Sequence, residues 1–309
     1  MSRRDLPMAP QDFYAALNLR PELPKNAHDN SMTSCANWCW RLCYQEYILA
    51  RRPASPGFGL QYGRAWHKMH EVLHKSGSMS AALDVADEII PEAIDDKYGR
   101  SRSRIKEAFI AQINYFESLD KRFEVVCVEQ AAEAHCPEGA ECVYQWGGCN
   151  LQHGGKADRL VRYQNKLWLI DYKTSTRKDP SFADKMVMNP QFLGYAWIYS
   201  HLMGEKVWGT IVRRTISNKS NFEPEPYINV ISDGQIKQWI RNQQELQVEI
   251  KRRFEQHAFD MGGWPTNPEG CWRYGKCEYF SVCTTPDEAS RLKQLAAEFV
   301  EHRHDYYAL

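Results

Sequence analysis

No stretch of this 309-residue chain approaches the ~18 consecutive apolar residues that a membrane-spanning helix requires. The opening Met1-Ser2-Arg3-Arg4-Asp5-Leu6-Pro7 lacks the apolar segment of a secretory leader. The expectation is a cytoplasmic protein with no membrane partner. Net charge is missing as well. Thirty-nine basic residues balance thirty-nine acidic ones, so no global positive field points to a polyanion, although a local basic groove is compatible with neutrality. Internal repeats and low-complexity tracts are absent. So is a Gly-x4-Gly-Lys-Ser/Thr phosphate loop, and any ATP-driven unwinding would therefore have to come from a helicase or recombination partner. A composition of 43% hydrophobic and 25% charged residues excludes a disordered or fibrous chain and supports one large core or one core with an appendage.

Cysteine, by contrast, is plentiful, with ten residues. In a reducing compartment such thiols are more often free, catalytic or metal-bound than paired. Residues 1–30 read as an N-terminal arm with one short helix near Gln11 to Leu17. Helical periodicity covers 35–52, 61–76, 79–96 and 101–119. Strand-length apolar or alternating pieces follow at 123–129, 155–162 and 166–172, the last two joined through Asn165 as an antiparallel hairpin. A helix over 191–203, a strand over 206–214, a long helix over 234–259, a cysteine-bearing segment at 264–283 and a closing helix over 286–303 complete the order. The economical fold is a single α/β domain, a mixed sheet flanked by helices with a helical N-terminal part and a C-terminal cysteine staple. Its bounds are 31–283, followed by a C-terminal helix at 284–309.

Chemistry concentrates in the hairpin. Asp158 sits mid-strand, and Asp171 and Lys173 sit at the end of the next strand, giving Asp-x12-Asp-x-Lys. Alternation places Asp171 and Lys173 on one face and Tyr172 on the other. Two carboxylates can hold Mg2+ through hard oxygen ligands. The ion would stabilise charge on a phosphate and acidify a water that the lysine orients or deprotonates.

The stretch Gly155-Lys-Ala-Asp158 through Ile170-Asp171-Tyr-Lys173-Thr-Ser resembles the central motif of the PD-(D/E)XK nuclease superfamily, specifically its RecB-like branch. Gly63-Arg-Ala-Trp-His67 resembles the upstream Gly-x3-His element, and Gln191-Phe-Leu-Gly-Tyr195 the downstream Gln-x3-Tyr element. The resemblance implies a restriction-endonuclease-like fold. It also implies that His67, Asp158, Asp171 and the carbonyl of Tyr172 bind Mg2+ or Mn2+, that Lys173 is the catalytic lysine, and that Gln191 and Tyr195 meet substrate. Glu129, closing Val-Val-Cys-Val-Glu, occupies the place where this branch often has a further glutamate. His70 and His74 compete with His67 as ligand, and the spacing from Gly63 favours His67.

Cys271, Cys277 and Cys283 are evenly spaced as Cys-x5-Cys-x5-Cys, which suggests a metal staple needing a fourth ligand. Cys35, Cys39 and Cys43 offer one from a single helical face. Four thiolates suit a 4Fe-4S cluster or a structural Zn2+, and no tight Cys-x2-4-Cys pair of the usual zinc kind is present. RecB-like nucleases of the AddB type and the CRISPR-associated spacer-processing type carry an iron–sulfur staple with one cysteine before the nuclease motifs and three after. By resemblance the ligands are Cys39, Cys271, Cys277 and Cys283. The insertion from His135 to His153, with Cys136, Cys142 and Cys149, reads as a long hairpin loop or a second metal site.

Arg51, Arg52, Arg64, Arg159, Arg177, Lys178, Lys185, Arg213 and Arg214 are candidates for a phosphate-binding groove, with Trp66, Tyr195 and Trp197 as stacking residues. The resemblance implies a metal-dependent DNA exonuclease acting on ends or single strands in replication, recombination or repair, in a bacterium or a phage-infected cell. A CRISPR adaptation nuclease and a noncatalytic DNA-binding scaffold are the alternatives.

Overall fold

The computed structural model describes residues 8–24, 28–55, 57–92, 96, 98–136, 151–219, 221–272 and 275–303. They form two compact units, one of residues 1–55 with 241–309 and one of residues 56–240. This division cuts across the expected 31–283 domain, because both chain ends contribute to the first unit.

The second unit opens with three helices whose ends carry local stop signals. Helix α1 (Phe58–Ser76) stops at Gly77, whose φ of 70° is the left-handed geometry that glycine adopts without strain. Helices α2 (Met79–Ile89) and α3 (Arg102–Asp120) are N-capped by Ser78 and Ser101, which accept from the N–H groups of Ala81 and Arg104. The sheet follows: β1 (Glu124–Cys136), β2 (Leu151–Tyr163) and β3 (Lys166–Ser175), then helices α4 (Phe182–Val187) and α5 (Pro190–Met203), then β4 (Val207–Ser217) and β5 (Phe222–Val230). Within this unit the strand order is β1-β2-β3-β4-β5, antiparallel throughout except for the parallel β3–β4 pair. The expected hairpin is present, with Gln164 and Asn165 both at positive φ as a tight two-residue turn demands.

Apolar residues divide between the two sheet faces. Val161, Ile170, Tyr172 and Ile211 pack with Trp66, Met69, Phe109 and other residues of α1 to α3, whereas Leu160, Leu169 and Val212 pack with Trp197, Ile198 and other residues of α5. Strand β5, which carries Pro224 and Pro226, is not among the expected elements. It is an edge strand, where an outward-facing position needs no N–H donor.

In the first unit the helix expected over 35–52 is broken. Helix Asn30–Trp38 ends where Cys39 adopts extended backbone (φ −161°), and a short helix Trp40–Cys43 and a π-turn Tyr44–Ile48 follow. The break pays for itself in contacts, since the Arg41 N–H donates to the Pro265 carbonyl at 3.0 Å and Arg41 Nε to the Trp264 carbonyl at 2.7 Å. The closing helix is Glu288–Glu298, and Phe299–Glu301 then pairs as a strand with Arg51–Pro53. Tyr14 of the expected arm is buried in the same apolar cluster as Leu292 and Leu295.

Candidate active site

The β2–β3 ladder ends at Arg159↔Ile170, so Asp158 lies one step past the last pair. Its Oδ2 accepts the Tyr172 N–H at 2.8 Å, and its Oδ1 lies 2.9 Å from His67 Nδ1 on α1. Across the sheet, the register from Val128↔Arg159 to Gln130↔Ala157 sets Glu129 opposite Asp158. Glu129 has φ 48°, a conformation rare for a side-chain-bearing residue inside a strand and one that collects at functional sites. Ligand atoms of His67, Glu129 and Asp158 all lie within 4.8 Å of one another. On β3, Lys173 Nζ is 2.8 Å from the Asp171 carboxylate and donates to Gln191 Oε1 at 3.4 Å. Gln191 Nε2 in turn donates to the Tyr195 hydroxyl at 3.2 Å.

Electrostatics follow from this crowding. Burial and the neighbouring Asp158 push the Glu129 carboxyl up to about 7, against the pull of Lys156, whose Nζ lies 2.9 Å away. Asp171 is likewise raised by burial and by Asp158, although Lys173 opposes this. Asp158 is lowered, because His67 and Lys173 outweigh its burial. Lys173 is raised, since Asp171 and Asp158 overcome the opposite effect of burial. Adjacent buried carboxylates that repel one another, with an imidazole among them, are a donor set that a hard divalent cation would relieve, and Mn2+ tolerates the nitrogen. The residues fit such an ion.

His67, Glu129, Asp158, Asp171, Lys173, Gln191 and Tyr195 thus fall in one neighbourhood, with Asp171 turned toward Lys173 rather than toward the three-residue group. His70 and His74 go elsewhere. His70 stacks on the Tyr172 ring at 3.6 Å, and His74 Nε2 meets the Tyr172 hydroxyl at 2.8 Å. Burial and Arg159 push His74 down to about 4, which leaves it neutral near pH 7. Lys156 carries no role in the motif as the sequence presents it. Its place two residues before Asp158, on the same strand face, was the available signal.

Several expected groove residues are not available. Arg159 and Arg213 are buried and share Asp120 at 2.8 Å each, and Arg214 is buried against Glu225 at 2.6 Å. Arg51 is also buried, and Arg52 pairs with Glu46 at 2.9 Å. Arg64, Arg177, Lys178 and Lys185 are exposed, the last two paired with Glu223 and Asp179. Trp66 and Trp197 are wholly buried core residues, so neither can stack on a base.

Gly155 on β2 has a steric reason to be glycine. A Cβ there would lie 2.6 Å from the Tyr195 ring. Gly155→Ala is expected to displace that ring and cost about 1–3 kcal/mol by overpacking, read as a lowered unfolding midpoint in urea.

In the first unit Cys39, Cys271, Cys277 and Cys283 line one cavity with Trp38, Leu42, Gln45, Tyr279 and Phe280. Cys43 is fully buried and Cys35 nearly so, and neither lines that cavity. The backbone break at Cys39 is what separates the three thiols expected on one helical face. Of the 135–153 insertion, Cys136 and His153 lie on β1 and β2, while Cys142 and Cys149 fall outside the described residues.

Residues 34–284 match the model of the PD-(D/E)XK nuclease superfamily. Among solved structures the chain is similar to that titled "Crystal structure of SSO0001", at 14% identity over 77% of this chain and 82% of that one, with a TM-score of 0.32. No curated protein matches.

Proposed function

This chain belongs to the PD-(D/E)XK nuclease superfamily, and we propose that within it the protein is a RecB-like, Mg2+- or Mn2+-dependent DNA exonuclease of replication, recombination or repair. The observation that carries this reading is the convergence of His67, Glu129 and Asp158 beside the Asp171–Lys173 pair. A divalent ion at His67, Asp158, Asp171 and the Tyr172 carbonyl, with Glu129 alongside, would supply charge stabilisation at a phosphate and acidify a water. The chain supplies the rest. Lys173, kept as an ammonium by its two carboxylates, orients the attacking water and offsets charge that develops on the phosphate. Gln191 fixes the lysine's position, and with Tyr195 forms the side of the site that substrate meets.

End-labelled linear and circular DNA, single- and double-stranded, incubated with Mg2+, Mn2+ or EDTA, tests the reading. The expected result is metal-dependent loss of label from linear DNA with circles intact. Binding without cleavage under every metal condition would overturn it.

We further propose that Cys39, Cys271, Cys277 and Cys283 hold a 4Fe-4S cluster. The four thiols line one cavity, and the spacing lacks the tight Cys-x2-4-Cys pair usual for zinc, which supports the cluster over Zn2+. Cys39→Ser is expected to lose the brown chromophore and its iron, whereas Cys35→Ser keeps both. Equal iron content in the two variants would remove Cys39 from the ligand set.

A further inference from the structure

Beyond the metal-binding residues, the second unit contains a separate polar cleft of about 240 Å3, lined by Gly59, Tyr62, Arg100, Thr174, Ser175, Thr176 and Ser217. It lies at the carboxyl ends of the parallel strands β3 and β4, where open sheets of this kind receive ligands. Three features give it a preference for an anion. The first turn of the 19-residue helix α1 faces it, and the N-cap residue Gly57 provides no side-chain cap. The N–H groups of Phe58 and Gly59 therefore have no partner within the helix, and the helix dipole favours negative charge there.

Arg100 is the second feature. Its Nε and Nη2 are held by Asp96 at 3.0 and 2.9 Å, and its guanidinium lies over the rings of Phe58, Tyr62 and Tyr98. Nη1 is left toward α1, 3.0 Å from where a Cβ on Gly59 would stand. The arginine is thus fixed before any ligand arrives, and the missing side chain at Gly59 keeps the approach open. Arg104, the next cation of this region, is occupied by Glu107 and the Asn218 carbonyl.

The third feature is the Tyr62 hydroxyl. Tyr62 is only 2% exposed, and its hydroxyl meets that of Ser217, so the two present a hydroxyl pair to the cleft. Hydroxyls of Thr174, Thr176 and Ser217 complete a donor-rich lining. At 240 Å3 the cleft is smaller than the pockets that hold drug-sized ligands, and it suits a compact group.

We propose that this cleft is a phosphate-binding subsite for the nucleic-acid strand, separate from the reacting phosphate. The proposal rests on the nuclease reading for its ligand and on the cleft alone for its chemistry. Thr174 to Thr176 directly follow Lys173, so at ~3.3 Å per extended residue the subsite lies about 3–10 Å further along. The bound group is a phosphomonoester at a strand end or a diester within the strand.

The test measures binding of fluorescent oligonucleotides in EDTA, which prevents metal-dependent cleavage, over a series of salt concentrations. Wild type is compared with Arg100→Gln and with Tyr62→Phe, which preserves the ring and its packing. The expected results are about tenfold weaker binding and a salt slope smaller by about one for Arg100→Gln, with a smaller loss for Tyr62→Phe. A loss confined to 5′-phosphorylated or to 3′-phosphorylated strands identifies an end-binding site, and equal loss on hydroxyl-ended strands identifies an internal diester. Wild-type affinity and slope in both folded variants would overturn the subsite and leave the nuclease reading untouched. If wild type binds no oligonucleotide, the nuclease reading fails instead. Titration with inorganic phosphate then decides the cleft: binding lost in Arg100→Gln upholds it, and no binding by wild type overturns it.

Discussion

Lys173→Ala is expected to lower kcat for DNA hydrolysis by about 10³-fold or more, with KM changing only a few-fold. Two physical contributions underlie the size. Positioned proton-transfer groups typically contribute 10²–10⁴-fold, and a fixed charge aimed at developing negative charge contributes about 10²–10³-fold. Lys173 is placed for the second role, since Asp171 at 2.8 Å and the nearby Asp158 keep it protonated despite burial. Loss of the ammonium also leaves Asp171, only 3% exposed, without its counter-ion, which adds a structural contribution to the chemical one. Measuring kcat alongside the unfolding midpoint and Mn2+ binding separates the two. A variant that melts normally, binds Mn2+ and still cuts at the wild-type rate would remove Lys173 from the chemistry.

Asp120→Ala carries the largest expected effect on stability, about 3–5 kcal/mol. Asp120, the last residue of α3, holds Arg213 through two hydrogen bonds of 2.8 and 3.0 Å and Arg159 through one of 2.8 Å, and both guanidiniums are almost fully buried. Removing the shared carboxylate strands two buried cations, which is the expensive way to break an ion pair. The pH dependence has a definite sign. The guanidiniums hold the Asp120 carboxyl below its ordinary range against the opposing effect of burial. Its stabilisation is therefore fully present above the ordinary carboxyl pKa of about 3.9 and is lost as pH falls through the lower folded value. Urea denaturation of wild type and variant at neutral pH and below pH 4 should show the gap between them narrowing in acid. A gap that stays constant would place the effect in packing instead.

The active-site motif could be read from the sequence because its chemistry is local. Asp171 and Lys173 share a strand face by alternation alone, and the turn at Asn165 fixes which strand returns beside them. His67 is reached by resemblance, through its spacing from Gly63, since side-chain chemistry alone does not distinguish it from His70 or His74. What the sequence hides is pairing at a distance. Arg159 and Arg213 have the composition of a phosphate-binding surface, and only the fold shows that Asp120, 39 and 93 positions away, has already claimed them. The break at Cys39 is hidden for the same reason. Local periodicity favours a continuous helix, and the carbonyls that reward the interruption belong to Trp264 and Pro265. Strand β5 carries two prolines, which disfavour a strand in general and are tolerated here because it lies at a sheet edge.

The division of the chain also orders events during synthesis. The unit that holds the candidate active-site residues is one continuous stretch, 56–240, while the other is assembled from 1–55 and 241–309. A ribosome completes the first before it has made the second half of the other, and units generally fold as they emerge. Cys39 is therefore translated long before Cys271, Cys277 and Cys283, with the whole intervening unit made between them. The metal centre proposed for these cysteines would close only after residues 56–240 have been made, so that iron supply would bear on the assembly of the first unit.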